Sequence, residues 1–207
     1  MKRFALLVLV YAAVVAHADQ KAEPRPLLFT PAEGGPVVFA MVPGAFPRVM
    51  GDSFGIAYRL AADGRMEELY RTSGWFSFRV YVSVDGRYLV RLEDTQDGHD
   101  PNSGHVALEF YESGRLLKRY TTLELVKDQS KLNHSKSHYS WVAFPIGPGL
   151  TALEPRLDYD RFVLTTVDGL TYDFDTFSGR IRSTTRQSGE PGATDNPGDA
   201  QRLREDH

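Results

Sequence analysis

Two polar stretches hold most of the residue types that can do chemistry. Asp94-Thr95-Gln96-Asp97-Gly98-His99-Asp100-Pro101-Asn102-Ser103-Gly104-His105 offers carboxylates at Asp94, Asp97 and Asp100 and imidazoles at His99 and His105. Oxygen donors at short spacing suit Ca²⁺, whereas imidazoles suit Zn²⁺ or Cu²⁺. The spacing fits neither a Ca²⁺ hand, which alternates its acids and closes on a Glu, nor a helical H-E-x-x-H pair. The second stretch, Asn133 to Trp141, adds His134 and His138 and sets Tyr139 and Trp141 beside them. If the two stretches meet at one rim, His99, His105, His134 and His138 share a site, and Tyr139 with Trp141 can present a stacking surface to a sugar or peptide. The plainer explanation is a pair of solvated loops built from turn formers, with Trp141 opening a core strand. No other cofactor is implied.

Two further patterns have chemical meanings. Gly51-Asp52-Ser53-Phe54-Gly55 matches G-x-S-x-G, but a nucleophile elbow needs a helix after the serine. Here Phe54 to Leu60 alternates like a strand, and the chain has no Asp-x-x-His to complete an esterase of the Gly-Asp-Ser type, so a loop entering a strand is expected. Glu109, Glu112, Asp158, Asp160, Asp173 and Asp175 could supply an acid/base pair for glycoside hydrolysis, which works only at a fixed spatial separation of about 5 to 10 Å. Asp173 and Asp175 flank Phe174, which favours a solvated strand face. No glycine loop precedes a helix to cradle phosphate.

The elements that must position these groups are strands. Phe76, Phe78, Val80, Val82 and Val84 alternate with Ser77, Arg79, Tyr81 and Ser83, which predicts five side chains turned inward and a mostly polar outer face on which Ser83 would accept a charge. Asp85-Gly86 suits a tight turn, and Tyr88 to Leu92 returns as the second strand of a hairpin. The pattern recurs over 106–111 and 116–120 around Ser113-Gly114, and over 162–167, 170–174 and 180–183 around Asp168-Gly169 and Ser178-Gly179. Segments 37–42, 54–60, 66–70 and 141–144 are further strand candidates, and Thr122 to Asp128, capped by Thr122, is the best helix candidate. Short strands punctuated by glycine turns predict an all-β fold of antiparallel hairpins: a sandwich, a barrel, or a small or partial propeller-like array of sheets.

Val84-Asp85-Gly86-Arg87-Tyr88, followed by Phe110 and Ser113-Gly114-Arg115-Leu116, echoes Val167-Asp168-Gly169, followed by Phe174 and Ser178-Gly179-Arg180-Ile181. The two hairpins resemble the blade grammar of bacterial secreted β-propeller-like repeat proteins over roughly residues 74–183. A blade takes about 40 to 45 residues, so a domain of this size would hold three or four.

Residues 1–18 read as a secretory signal of bacterial type: Lys2 and Arg3, an apolar run from Phe4 to Val15, then Ala16-His17-Ala18. As a helix the run would reach about 18 Å, short of a hydrocarbon core of about 30 Å. Its removal takes two of the 24 basic side chains and none of the 27 acidic ones, moving the net charge from −3 to about −5. The expected organisation is thus signal 1–18, a proline-rich linker or edge segment 19–36, an all-β domain 37–182 and a disordered tail 183–207, in which Leu203 is the only large aliphatic residue. With no cysteine, an exported domain has to hold itself together by apolar burial. The charge balance gives no footprint for nucleic acid, and no transmembrane segment remains after cleavage. The function expected is a non-enzymatic binding or interaction module in the periplasm or outside the cell, with an envelope or extracellular ligand. The alternative is a small secreted hydrolase, metal-dependent or not, that uses loops 94–105 and 133–141.

Overall fold

The computed structural model describes residues 22–45, 48–144 and 154–186. The expected signal segment and residues 187–207 of the expected tail lie outside the described residues, while residues 183–186, expected to open the disordered tail, are the end of a strand.

The described chain is almost entirely β-structure, in four antiparallel sheets. Sheet A is the meander β1 (Leu27–Phe29), β2 (Val37–Val42), β3 (Phe54–Leu60), β4 (Met66–Ser73). Sheet B joins β5 (Arg79–Val82), β6 (Tyr88–Leu92), β8 (Val106–Glu112) and β9 (Arg115–Thr121). The chain leaves sheet B between β6 and β8 to form β7 (Thr95–Asp97), which pairs with β11 (His138–Ser140), itself paired with β10 (Asn133–His134). The last sheet, here sheet C, is the meander β12 (Arg156–Asp158), β13 (Arg161–Thr165), β14 (Leu170–Asp175), β15 (Ile181–Arg186). The proline-rich segment therefore contributes an edge strand, β1.

Sheet B is buried on both faces because its strands alternate between two cores. Val80, Val82, Leu89 and Tyr111 pack with Phe39 and Met41 of sheet A and with Trp75. Val90, Leu92, Leu108 and Phe110 pack with Phe162, Leu164 and Phe174 of sheet C and with Trp141. This is why β6 and β8 read as near-continuous apolar runs rather than as half-solvated strands. The first strands of the three four-stranded sheets draw together, with β1 and β12 both close to β5.

Local chemistry explains most boundaries. Ser113 and Gly114 both have positive φ, 47° and 80°, the pair of values a two-residue hairpin needs to match strand twist. Gly55 has a different job: a Cβ there would lie 2.1 Å from Phe39 Cζ, so β3 can pass beneath the ring only as glycine. The helix is a single turn, α1 (Thr122–Leu125), and its cap is Thr121 rather than Thr122. The Thr121 hydroxyl accepts from the Glu124 amide, and the Glu124 carboxylate accepts from the Thr121 amide in return.

The long alternation over 76–84 resolves differently from the sequence expectation. Only Arg79–Val82 is strand; Phe78 and Val84 are exposed while Ser77 and Ser83 are buried. The two serines go inside because their hydroxyls serve the backbone. Ser77 Oγ donates to the Leu92 carbonyl at 2.9 Å. Ser83 Oγ donates to Asp85 at 2.6 Å and accepts from the Tyr88 amide at 2.9 Å. Thr166 repeats the device before Asp168-Gly169, its hydroxyl donating to Asp168 at 2.5 Å. The echoed motifs are not at equivalent places, however. The Ser-Gly hairpins join the third and fourth strands of sheets B and C, whereas the Asp-Gly turns join strands one and two in sheet B but two and three in sheet C. Segment 141–144 is not a strand; Val142 makes only an isolated bridge to Thr166.

Candidate functional site

The two polar stretches do meet. β7 pairs with β11 through Asp97 opposite His138, Gln96 opposite Tyr139 and Thr95 opposite Ser140. His105 Nδ1 lies 2.8 Å from the Tyr139 hydroxyl, and its Nε2 lies 2.8 Å from the Asn102 side-chain nitrogen. The His99 and His134 rings stand 6.5 Å apart, and His134 is 6.3 Å from Tyr139. Asp94 turns away to accept from Arg79 at 2.7 Å, and His138 Nδ1 lies 3.3 Å from the Ser137 hydroxyl. Asp100 is exposed. The convergence builds a small three-stranded sheet, and among the described residues no three His, Asp or Glu side chains gather as a metal-holding group. Composition hid β7, β10 and β11 because their polar residues carry no period.

Tyr139 and Trp141 do not form an exposed platform. Both are fully buried; the Trp141 indole donates to the Glu93 carbonyl at 2.6 Å, and burial raises the Tyr139 phenol. Neither ring has a face free to stack on a ligand.

The other candidate groups have structural partners. Ser53 is fully buried, with its hydroxyl donating to the Val49 carbonyl and accepting from the Gly44 amide at 2.9 Å. A strand, β3, follows it, so the G-x-S-x-G motif is a loop staple and not an elbow. All six carboxylates are held by arginine. Glu109 is fully buried between Arg91 at 2.8 Å and Arg119 at 2.6 Å, and accepts from the Tyr111 hydroxyl at 2.6 Å. Glu112 pairs with Arg87 and Arg115, Asp158 with Arg156, Asp160 and Asp175 with Arg182, and Asp173 with Arg161. Against the cost of burial, the Tyr111 and arginine contacts hold Glu109 below the usual carboxylate range. Arg87 and Arg115 lower Glu112, and Arg182 lowers Asp175. These three are therefore anions at neutral pH, unlike the raised carboxyl a general acid needs.

Sequence reasoning missed the concave feature that the fold does build. A cavity of about 400 Å³ lies where β1, β5 and β12 approach one another, lined by Thr30, Ala32, Val80–Val82 and Glu154–Leu157. A second, of about 250 Å³, lies at the Ser83–Asp85 end, with Tyr88, Tyr159 and Phe177 in its wall. A constriction lined by Pro31, Val84 and Asp158 shares walls with both. Tyr81, on the first wall, packs at 5.0 Å from Phe162, and burial pushes its phenol up to about 12. At the far mouth Tyr159 is 73% exposed and Phe177 41%. No sequence signal marks this groove, because its walls come from three segments far apart in the chain.

No family model and no curated protein matches the sequence. Solved structures with a similar all-β fold include BamB from Moraxella catarrhalis (14% identity, TM-score 0.40, 77% of this chain against 35% of that one). The C-terminal WD40 domain of Sif2 matches at 12% identity and TM-score 0.33, over 74% of this chain and 34% of the other. Sqt1 of Saccharomyces cerevisiae matches at 12% identity and TM-score 0.30, over 83% and 54%. This chain spans about a third to a half of the length of these structures. The resemblance is a weak one, to β-propeller-like repeat proteins.

Proposed function

We propose that this chain is an exported, non-enzymatic binding or interaction module of the bacterial envelope or exterior, and that it binds its partner in the groove beside β5. The observation that carries this reading is the groove itself: a cavity of about 400 Å³, within the usual size range of ligand sites, followed by a second with exposed Tyr159 and Phe177 at its mouth. Exposed aromatics beside a preformed cleft are what a recognition surface requires. Ser53 and the paired carboxylates also favour binding over hydrolysis, since each is engaged in holding the fold. Export rests on the signal-like segment 1–18. No helix among the described residues is long and apolar enough to cross a membrane.

The test is site-directed photo-crosslinking in a bacterial host. A photoreactive side chain at Ala32, which is exposed and lines the groove, should yield adducts in the envelope or culture fraction, whereas one at the exposed Arg65 on the β3–β4 turn should not. The recovered chain should begin at Asp19. Equal adducts at both positions, or an uncleaved chain in the cytosol, would remove the proposal.

A further inference from the structure

β5 is the end strand of sheet B and pairs on one side only, with β6. The Ser83 amide donates to the Tyr88 carbonyl at 2.9 Å, so Ser83 and, two and four residues back, Tyr81 and Arg79 direct their backbone groups at β6. By the same alternation Val80 and Val82 direct their N–H and C=O groups away from β6, along the edge that lines the groove. Both residues are buried, at 6% and 3% exposure, and no group among the described residues is bonded to these N–H and C=O groups. The unpaired N–H and C=O groups of an edge strand are a ready template for pairing with another extended chain.

We infer that the groove takes an extended peptide, which adds to sheet B as a strand along the free edge of β5. This rests on the binding-module reading and names its ligand class. Three features select a peptide over a compact small molecule. The unpaired groups of Val80 and Val82 present donors and acceptors at strand spacing, which only another extended backbone matches throughout. The wider chamber is lined by Val80, Tyr81 and Val82 in succession, so the free edge faces open volume along the strand. The second chamber lies past the end of β5, at the Ser83–Asp85 turn, where it can receive a side chain beyond the paired segment. β1 and β12 flank the edge without pairing to it.

The test uses the full chain and a displayed random library of eight-residue peptides, with counter-selection on Ala32→Trp, which fills the groove from an exposed position. Selected peptides should bind the parent and lose at least tenfold in affinity for Ala32→Trp. On binding, hydrogen exchange at the Val80 and Val82 amides should slow at least tenfold, while Tyr81 and Ser83, already bonded to β6, should change little. N-methylation of alternate peptide amides should abolish binding in one register and spare it in the other. Peptides that bind without protecting Val80 and Val82, or with no register dependence, would overturn strand addition. If no peptide is selected, but a fragment screen against the parent gives ligands that shift the Val80–Asp85 amide resonances and are lost in Ala32→Trp, the peptide class fails and the binding site stands. If neither screen touches those amides, both proposals fall.

Discussion

Arg91 and Glu109 lie opposite each other on β6 and β8 and pair at 2.8 Å, with Glu109 fully buried between sheets A and B. Arg91 stacks over the Trp75 ring at 5.0 Å, and its other arm reaches Glu93 at 2.9 Å. The cluster fixes how β6, β8 and β9 of sheet B register, because its carboxylate is satisfied only when Arg91, Arg119 and Tyr111 all arrive. Arg91→Met should therefore cost about 3 to 5 kcal/mol in urea unfolding, since it strands a buried charge. The double variant Arg91→Met/Glu109→Leu should recover much of that loss; a double variant as unstable as the sum of the singles would show that the pair is not coupled.

Acid should weaken the fold in a defined window. Glu109, Glu112 and Asp175 are held below their ordinary values of 4.5, 4.5 and 3.8, so their contribution is complete above those values and is lost as pH falls through the lower folded-state ones. Glu93 acts in the opposite sense, because burial raises it above 4.5, and its ionisation on going to neutral pH offsets part of the gain. Unfolding midpoints from pH 7 to pH 2.5 should fall mainly below about pH 4.5. In Glu109→Gln the acid-dependent part of the fall should shrink, with a lower starting stability.

The turn at Ser83 discriminates the structure from the alternation of the sequence. Val82→Asp buries an unpaired charge and should unfold the domain or cost more than about 3 kcal/mol. Ser83→Asp, which alternation alone would tolerate, brings a carboxylate against Asp85 and should cost about 1 to 3 kcal/mol. Ser83→Ala, which leaves the Tyr88 amide without its acceptor, should cost about 1 kcal/mol. Thermal melts of the three variants check the order, and a neutral Ser83→Asp would contradict the buried turn.

Gly55→Ala should be destabilising by about 1 to 3 kcal/mol through overpacking against Phe39, although a strand interior ordinarily prefers alanine. Phe39→Leu in the same chain removes the clashing ring edge, so the double variant should be more stable than the sum of the two single losses predicts. Additive losses would place the strain elsewhere.

The loop cluster gives a cheap control on metal chemistry. Since His99, His105, His134, His138 and the nearby aspartates do not gather into a group of three, adding Zn²⁺ or Ca²⁺, or removing either with chelator, should leave the melting temperature within about 1 °C. A rise of several degrees at stoichiometric metal, lost in His99→Ala/His134→Ala, would mean that the loops close on an ion.

Much of the fold is readable along the chain because strands and turns are local. β2, β3, β6 and β8 follow from apolar patterning, and their hairpins from Asp-Gly and Ser-Gly pairs that supply positive φ. Polar segments such as β7 and β11 were opaque, since they are strands only by virtue of each other.

The sequence alone determined an antiparallel all-β chain, where most of its turns fall, and which residues could carry chemistry. The tertiary structure decided what those residues do. Period two sets which side of its own sheet a side chain occupies, but whether that side meets water, another sheet or an arginine depends on packing between segments far apart in the chain. Glu109 became the buried centre of an ion cluster and Ser53 a loop staple for that reason. The same non-local packing left the backbone of Val80 and Val82 facing a groove, because β1 and β12 stop short of pairing with β5.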